Sequence, residues 1–115
     1  MNGRAKGYIG EQIAAEHLAK KGWKILARNI RECGVEVDLI ALDGATLVFC
    51  EVKTAERPDA HPAEWVKEGQ MRRYVRAAES YVARHALYDR DVRFDVMEIC
   101  GGEVRHIRGA FDASR

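Results

Sequence analysis

Several common protein classes are excluded by what this chain has little of. Its three cysteines, Cys33, Cys50 and Cys100, are odd in number and far apart. They offer neither a disulfide framework nor zinc-ligand spacing, and they fit a reducing cytoplasm. The two prolines, Pro58 and Pro62, fall in one short stretch, so proline interrupts the chain in a single place. No apolar run approaches membrane-spanning length, and Met1 to Gly10 lacks the apolar core of a signal peptide. A cytoplasmic protein with no membrane partner is expected. Charge of one sign is missing too: 19 Lys and Arg against 18 Asp and Glu leave a net +1, so any nucleic-acid binding must come from a local patch. There is no repeat, low-complexity tract or linker, and residues 1–115 read as a single domain.

What is present is an ordinary globular composition, 47% hydrophobic and 32% charged. Its most unusual stretch runs from Gly34 to Lys53. Two β-rich runs flank a tight Asp43-Gly44-Ala45-Thr46 corner, the pattern of a hairpin. Glu36, Asp38, Glu51 and Lys53 interrupt those apolar runs, and charges in core-like strands are costly unless paired. A two-residue Gly44-Ala45 loop sets Asp38 opposite Glu51 and Glu36 opposite Lys53. An Asp43-Gly44 turn instead sets Glu36 opposite Glu51. Either register keeps all four charges on one face, with Ile40, Leu42, Leu47 and Phe49. Two adjacent carboxylates repel and favour a cation, and a hard divalent ion takes one or two of them plus water and phosphate. The alternative is an ion-paired, solvent-facing sheet surface.

Around the hairpin, residues 7–21 read as a helix ended by Gly22, with Tyr8, Glu11, Ala15 and Leu18 on one stripe and Ile9, Ile13 and Ala14 widening it. Trp23 to Ile30 reads as a first strand, with residues 31–34 as the turn into Val35–Leu42, and Leu47–Thr54 follows. Ala55 to Pro62 reads as a loop able to move. A long helix is predicted from Ala63 to Leu87, with Gln70, Tyr74, Ala77, Ala78, Tyr81 and Val82 inward. Arg72, Arg73 and Arg76 lie off that stripe as a phosphate-binding face, or as a solvated side balanced by neighbouring glutamates. Asp91–Cys100 and Glu103–Arg108 read as a closing hairpin. Helix, three strands, helix and two strands predict an α/β/α sandwich around a mixed five-stranded sheet, its first three strands antiparallel.

The spacing of Asp38 and Glu51-Val52-Lys53 resembles the PD-(D/E)XK nuclease signature, with Val37 where that name has proline. More specific are Gly10-Glu11, Asn29, Glu36 to Ala41, Val48 to Lys53, Arg93-Phe94-Asp95-Val96, and His106-Ile107 with Ala110-Phe111, in that order. Together they resemble the bacterial YraN-like family of predicted endonucleases, related to archaeal Holliday junction resolvases. The resemblance covers nearly the whole chain. It implies a restriction-endonuclease-like fold and hydrolysis of phosphodiester bonds with Mg²⁺ or Mn²⁺ in branched or structured DNA, with DNA favoured over RNA. It implies that Asp38 and Glu51 ligate the metal and that Lys53, Glu11 and Gln70 serve catalysis, with Glu36 in support. By analogy with resolvases a homodimer is expected. Gly69 stands where such nucleases carry a lysine before the glutamine. That departure motivates the alternative, a non-catalytic nucleic-acid-binding module retaining the fold.

Overall fold

The computed structural model describes residues 3–112, with side chains from Ile9 onward. The expectation for Tyr8 lies outside the described residues. The elements are α1 (Gly3–Lys20), β1 (Lys24–Glu32), β2 (Val35–Asp43), β3 (Thr46–Ala55), a 3-10 helix (Pro62–Trp65), α2 (Glu68–His85), β4 (Val92–Cys100) and β5 (Glu103–Phe111).

One sheet carries the strands in the order β1-β2-β3-β4-β5. The pairs β1–β2, β2–β3 and β4–β5 are antiparallel, while β3–β4 is parallel. The parallel step requires a crossover, which the 3-10 helix and α2 supply. Each face of the sheet holds its own core. On the α2 side, Ile40, Leu47, Phe49, Phe94 and Val96 pack with Tyr74, Ala77, Ala78 and Tyr81. On the α1 side, Leu39, Ala41, Val48, Cys50 and Met97 pack with Ala14, Ala15 and Leu18. This is the expected α/β/α sandwich, consistent with a restriction-endonuclease-like fold. Among the described residues no helix is long and apolar enough to cross a membrane.

Local chemistry sets the boundaries. Gly22, with φ +87, ends α1 in a left-handed cap: its N–H bonds the Ala19 carbonyl at 3.0 Å and the Trp23 N–H bonds Leu18 at 3.1 Å. β1 continues through Arg31 and Glu32, past the strand end read from sequence, because the turn is only Cys33-Gly34, both with positive φ. The continuous helix from Ala63 is likewise corrected. Extended backbone at Val66 and Lys67 separates the 3-10 helix from α2, which places Gly69 in the first turn of α2, where it costs little. Residues 55–62, read as a movable loop, are tied down. Buried Glu98 binds Arg105 Nε at 2.8 Å, and Arg105 Nη1 and Nη2 donate to the carbonyls of Pro58 and Ala60.

Candidate active site

The β2–β3 ladder runs from Asp43↔Thr46 to Leu39↔Cys50, which is the Gly44-Ala45 register. It stops there, one residue short of Asp38 and Glu51. Beyond that point side chains replace the missing backbone bonds. Asp38 Oδ2 accepts the Val52 N–H at 2.8 Å, and the Tyr74 hydroxyl accepts the Asp38 N–H at 3.3 Å. Burial, then the nearby Glu51 and Asp38 carboxylates, pushes the Tyr74 phenol up, so one buried side chain of α2 stands against both parted strands. Sequence reasoning placed Tyr74 only on a packing stripe. Its polar role depends on the strands opening beneath it.

The face of β2 changes at the same position. Val35 and Val37 belong to the α2-side core, yet so does Ile40, while Leu39 and Ala41 face α1. Unbroken alternation would keep residues 37 and 39 together. The switch falls at Asp38, which therefore stands between both layers. Asn29 lies across from it, between the pairs Arg28↔Leu39 and Ile30↔Val37, and has a left-handed φ of +50. Asparagine tolerates that conformation better than most residues with a side chain.

From the α1 layer, buried Glu11 comes close enough to the Asp38 carboxyl to help raise it. The helix can come this close because residue 10 is glycine: a Cβ there would meet Thr54 Cγ2 at 2.4 Å. From β3, Lys53 Nζ lies 3.2 Å from Glu51 Oε1. From α2, Gln70 Nε2 lies 3.4 Å from Glu51 Oε2, and Arg73 donates to Gln70 Oε1 at 3.1 Å. Glu11, Asp38, Glu51, Lys53 and Gln70 thus converge from four elements, α1, β2, β3 and α2. Burial first, then the nearby Glu51 and Glu11 carboxylates, raises the Asp38 carboxyl to about 8 despite the opposing Val52 N–H. Acids crowded this way need a proton or a cation. The oxygen donors of Asp38 and Glu51 suit a hard divalent ion whose remaining positions water fills. Among the described residues, no group of three or more His, Cys, Asp or Glu side chains is arranged to hold a metal unaided.

Glu36 does not join this cluster. It opposes Arg31 on β1 and is exposed, because the face switch at Asp38 turns it away from Lys53. Arg72, Arg73 and Arg76 are exposed on α2, with Arg72 3.7 Å from Glu68.

Another part of the motif pattern is accounted for separately. Asp95, fully buried on β4, is reached by His106 Nε2 at 2.7 Å, by Arg93 Nε at 2.9 Å and by the Gly109 N–H at 3.0 Å. Burial alone would raise its carboxyl. These three donors outweigh burial and bring it down to about 2. His106 stands edge-on to Trp23 at 5.1 Å, and the Trp23 ring lies under the guanidinium groups of Arg93 and Arg108. This cluster ties β4 and β5 to the C-terminal end of α1.

Fold and site define an α/β protein with a buried acidic cluster, one lysine and one glutamine where two central strands part. The chain belongs to the family described as Uncharacterised protein family UPF0102, whose model matches residues 10–99, the YraN-like family of the resemblance above. It is 44% identical to a UPF0102 protein of Symbiobacterium thermophilum, over 96% of this chain and 98% of that protein. It is 42% identical to one of Chlorobaculum tepidum, over 91% and 90%. With one of Persephonella marina it shares 34%, over 93% of each.

Proposed function

We propose that this protein is a metal-dependent endonuclease of the PD-(D/E)XK superfamily, hydrolysing phosphodiester bonds in branched or structured DNA. The observation that carries the proposal is the convergence of Glu11, Asp38, Glu51, Lys53 and Gln70 where the β2–β3 ladder opens. When bound, Mg²⁺ or Mn²⁺ supplies Lewis-acid activation of phosphate and water. Asp38 and Glu51 would hold the ion, with the Val52 carbonyl as the resemblance implies, and Glu11 would hold water beside Asp38. The Lys53 ammonium positions the attacking water and offsets negative charge growing on the phosphate. Gln70 orients the Glu51 carboxylate, and Tyr74 keeps the strands apart. Exposed Arg72, Arg73 and Arg76 supply backbone contacts. A junction presents two strands, so two copies of the chain act on it. A cytoplasmic location belongs to this reading and is supported by the odd number of cysteines, all of them free.

The test incubates purified protein with junction, flap and single-stranded DNA, and their RNA counterparts, in Mg²⁺ or Mn²⁺. Cleavage is expected to fall at least about 100-fold in Lys53→Ala and Asp38→Ala, the scale of losing one charge-stabilising group. Cleavage that persists in both variants refutes the assignment.

The second reading, a non-catalytic nucleic-acid-binding module, is favoured by Gly69, which stands where such nucleases carry a lysine. It expects binding without turnover in any metal. It also expects no gain in Gly69→Lys, a change the site can accommodate because a Cβ there meets only Arg73 Nη1, at 3.7 Å.

A further inference from the structure

Four large hydrophobic side chains are exposed among the described residues, and two of them, Ile9 at 48% and Trp65 at 58%, flank the end of the strand that carries Glu51 and Lys53. Trp65 walls a cleft of about 580 Å³ that Ala55, Glu56, Arg57, Asp59 and Ala60 also line. Ala55 lies two residues beyond Lys53 on the same strand face, about 6.6 Å along the strand. Ile9 borders the neighbouring hollow on the α1 side, which shares Ala55 and Glu56 with that cleft.

The aromatic ring is held in place. Glu98 is the register partner of Lys53 across the β3–β4 ladder, and its carboxylate accepts the Ala63 N–H at 2.8 Å, in the single turn that ends at Trp65. Pro62 before it and Val66 after it are buried. Trp65 is thus anchored through one hydrogen bond to the strand beside the catalytic lysine, while its own ring faces outward. An indole exposed to water on a pinned turn forgoes burial that the fold could have used. The cations nearest in sequence, Arg57, Lys67, Arg72 and Arg73, are all exposed. Arg57 is paired with Asp59 and Arg72 with Glu68, surface pairs that a phosphate can displace at little cost.

We propose that Trp65 and the cleft beside it form a nucleobase-stacking platform. It takes an unpaired base of the nucleic acid whose phosphate lies at Lys53. The inference rests on the nuclease reading for the position of that phosphate and sharpens its substrate class to strands with an unpaired nucleotide next to the cut. Stacking on an aromatic face is tolerant of base identity, and a paired base has no free face to offer, so the platform selects structure and not sequence.

Binding of labelled oligothymidylate, and of a duplex of equal length, is measured by anisotropy in EDTA, where no cleavage intervenes. Trp65→Ala and Trp65→Leu are expected to weaken single-strand binding roughly 5- to 150-fold, the range spanned by one base–aromatic stack. Trp65→Phe keeps most of it, and duplex binding stays unchanged in all three. Tryptophan emission provides a direct readout: Trp23 is buried beneath Arg93 and Arg108, so quenching by the oligonucleotide must come from Trp65. Unaltered single-strand binding in Trp65→Ala and Trp65→Leu, equal losses on both substrates, or no binding by the wild type overturns the platform. The two readings fail separately. Trp65-dependent binding with no cleavage in any metal sinks only the catalytic reading, whereas Lys53-dependent cleavage indifferent to Trp65 sinks only the platform.

Discussion

Replacing Asp38 by asparagine separates what the carboxylate does for the fold from what it does for the site. The amide oxygen can still accept the Val52 N–H, so the bridge between the parted strands survives. What disappears is a titrating group facing Glu11 from α1, Glu51 and Lys53 from β3 and Tyr74 from α2. The folded protein raises the Asp38 carboxyl from an ordinary 3.8 to about 8. Below the lower value Asp38 is protonated in both folded and unfolded chains and contributes nothing to pH dependence. Between the two values the unfolded chain ionises while the folded one keeps its proton, so stability falls as pH rises, at about 1.4 kcal/mol per unit. By pH 7 that amounts to a penalty on the order of 4 kcal/mol, a large part of the roughly 5–15 kcal/mol available to a small domain. Asp38→Asn is therefore expected to be the more stable protein at neutral pH in EDTA, with the gap closing toward pH 4. Mg²⁺ or Mn²⁺ reverses the order of benefit: the wild type gains melting temperature by mass action and the variant does not. Thermal melts of both proteins from pH 4 to 8, with and without metal, provide the test. Parallel stability profiles would show that Asp38 is not the crowded acid described here.

Two further expectations probe how the site is assembled. Gly10→Ala should push α1 away from β3 through Thr54 Cγ2, costing about 1–3 kcal/mol and lowering nuclease activity. Adding Thr54→Ser removes the offending methyl, so activity that stays low in the double variant would refute close approach as the role of Gly10. At Asn29, Asn29→Gly should retain stability and activity, whereas Asn29→Val should lose about 1–2 kcal/mol, because a β-branched residue resists a φ of +50. Equal melting temperatures for the two variants would show that the left-handed backbone opposite Asp38 is not needed.

Much of the fold was legible in the chain because hydrophobic period and turn residues are local properties. The hairpin corner was legible at Asp43 to Thr46, but Gly44-Ala45 and Asp43-Gly44 both make two-residue loops, and only the observed ladder selects the first. The first helix stopped at Gly22, as a residue free to adopt positive φ requires. Their helical stripes turn Glu11 and Gln70 inward, while their place beside the acidic strand pair is what the resemblance implies. Arithmetic failed where it assumed regularity. Alternation along β2 set Glu36 opposite Lys53, but the change of face at Asp38 turned Glu36 outward toward the side of Arg31. The apolar period predicts a single helix from Ala63, whereas Glu98, distant in sequence, tethers that segment at Ala63 and the chain stays extended at Val66 and Lys67 before α2 begins.

The sequence by itself determined which residues carry charge into the sheet and which strands they occupy, because composition and period act over a few neighbours. Only the tertiary structure decided that the β2–β3 ladder ends one pair before those charges, with Tyr74 filling the gap and Asp38 reaching both layers. That opening depends on α1 and α2 pressing on opposite faces of one strand, an arrangement no local stretch of the chain encodes.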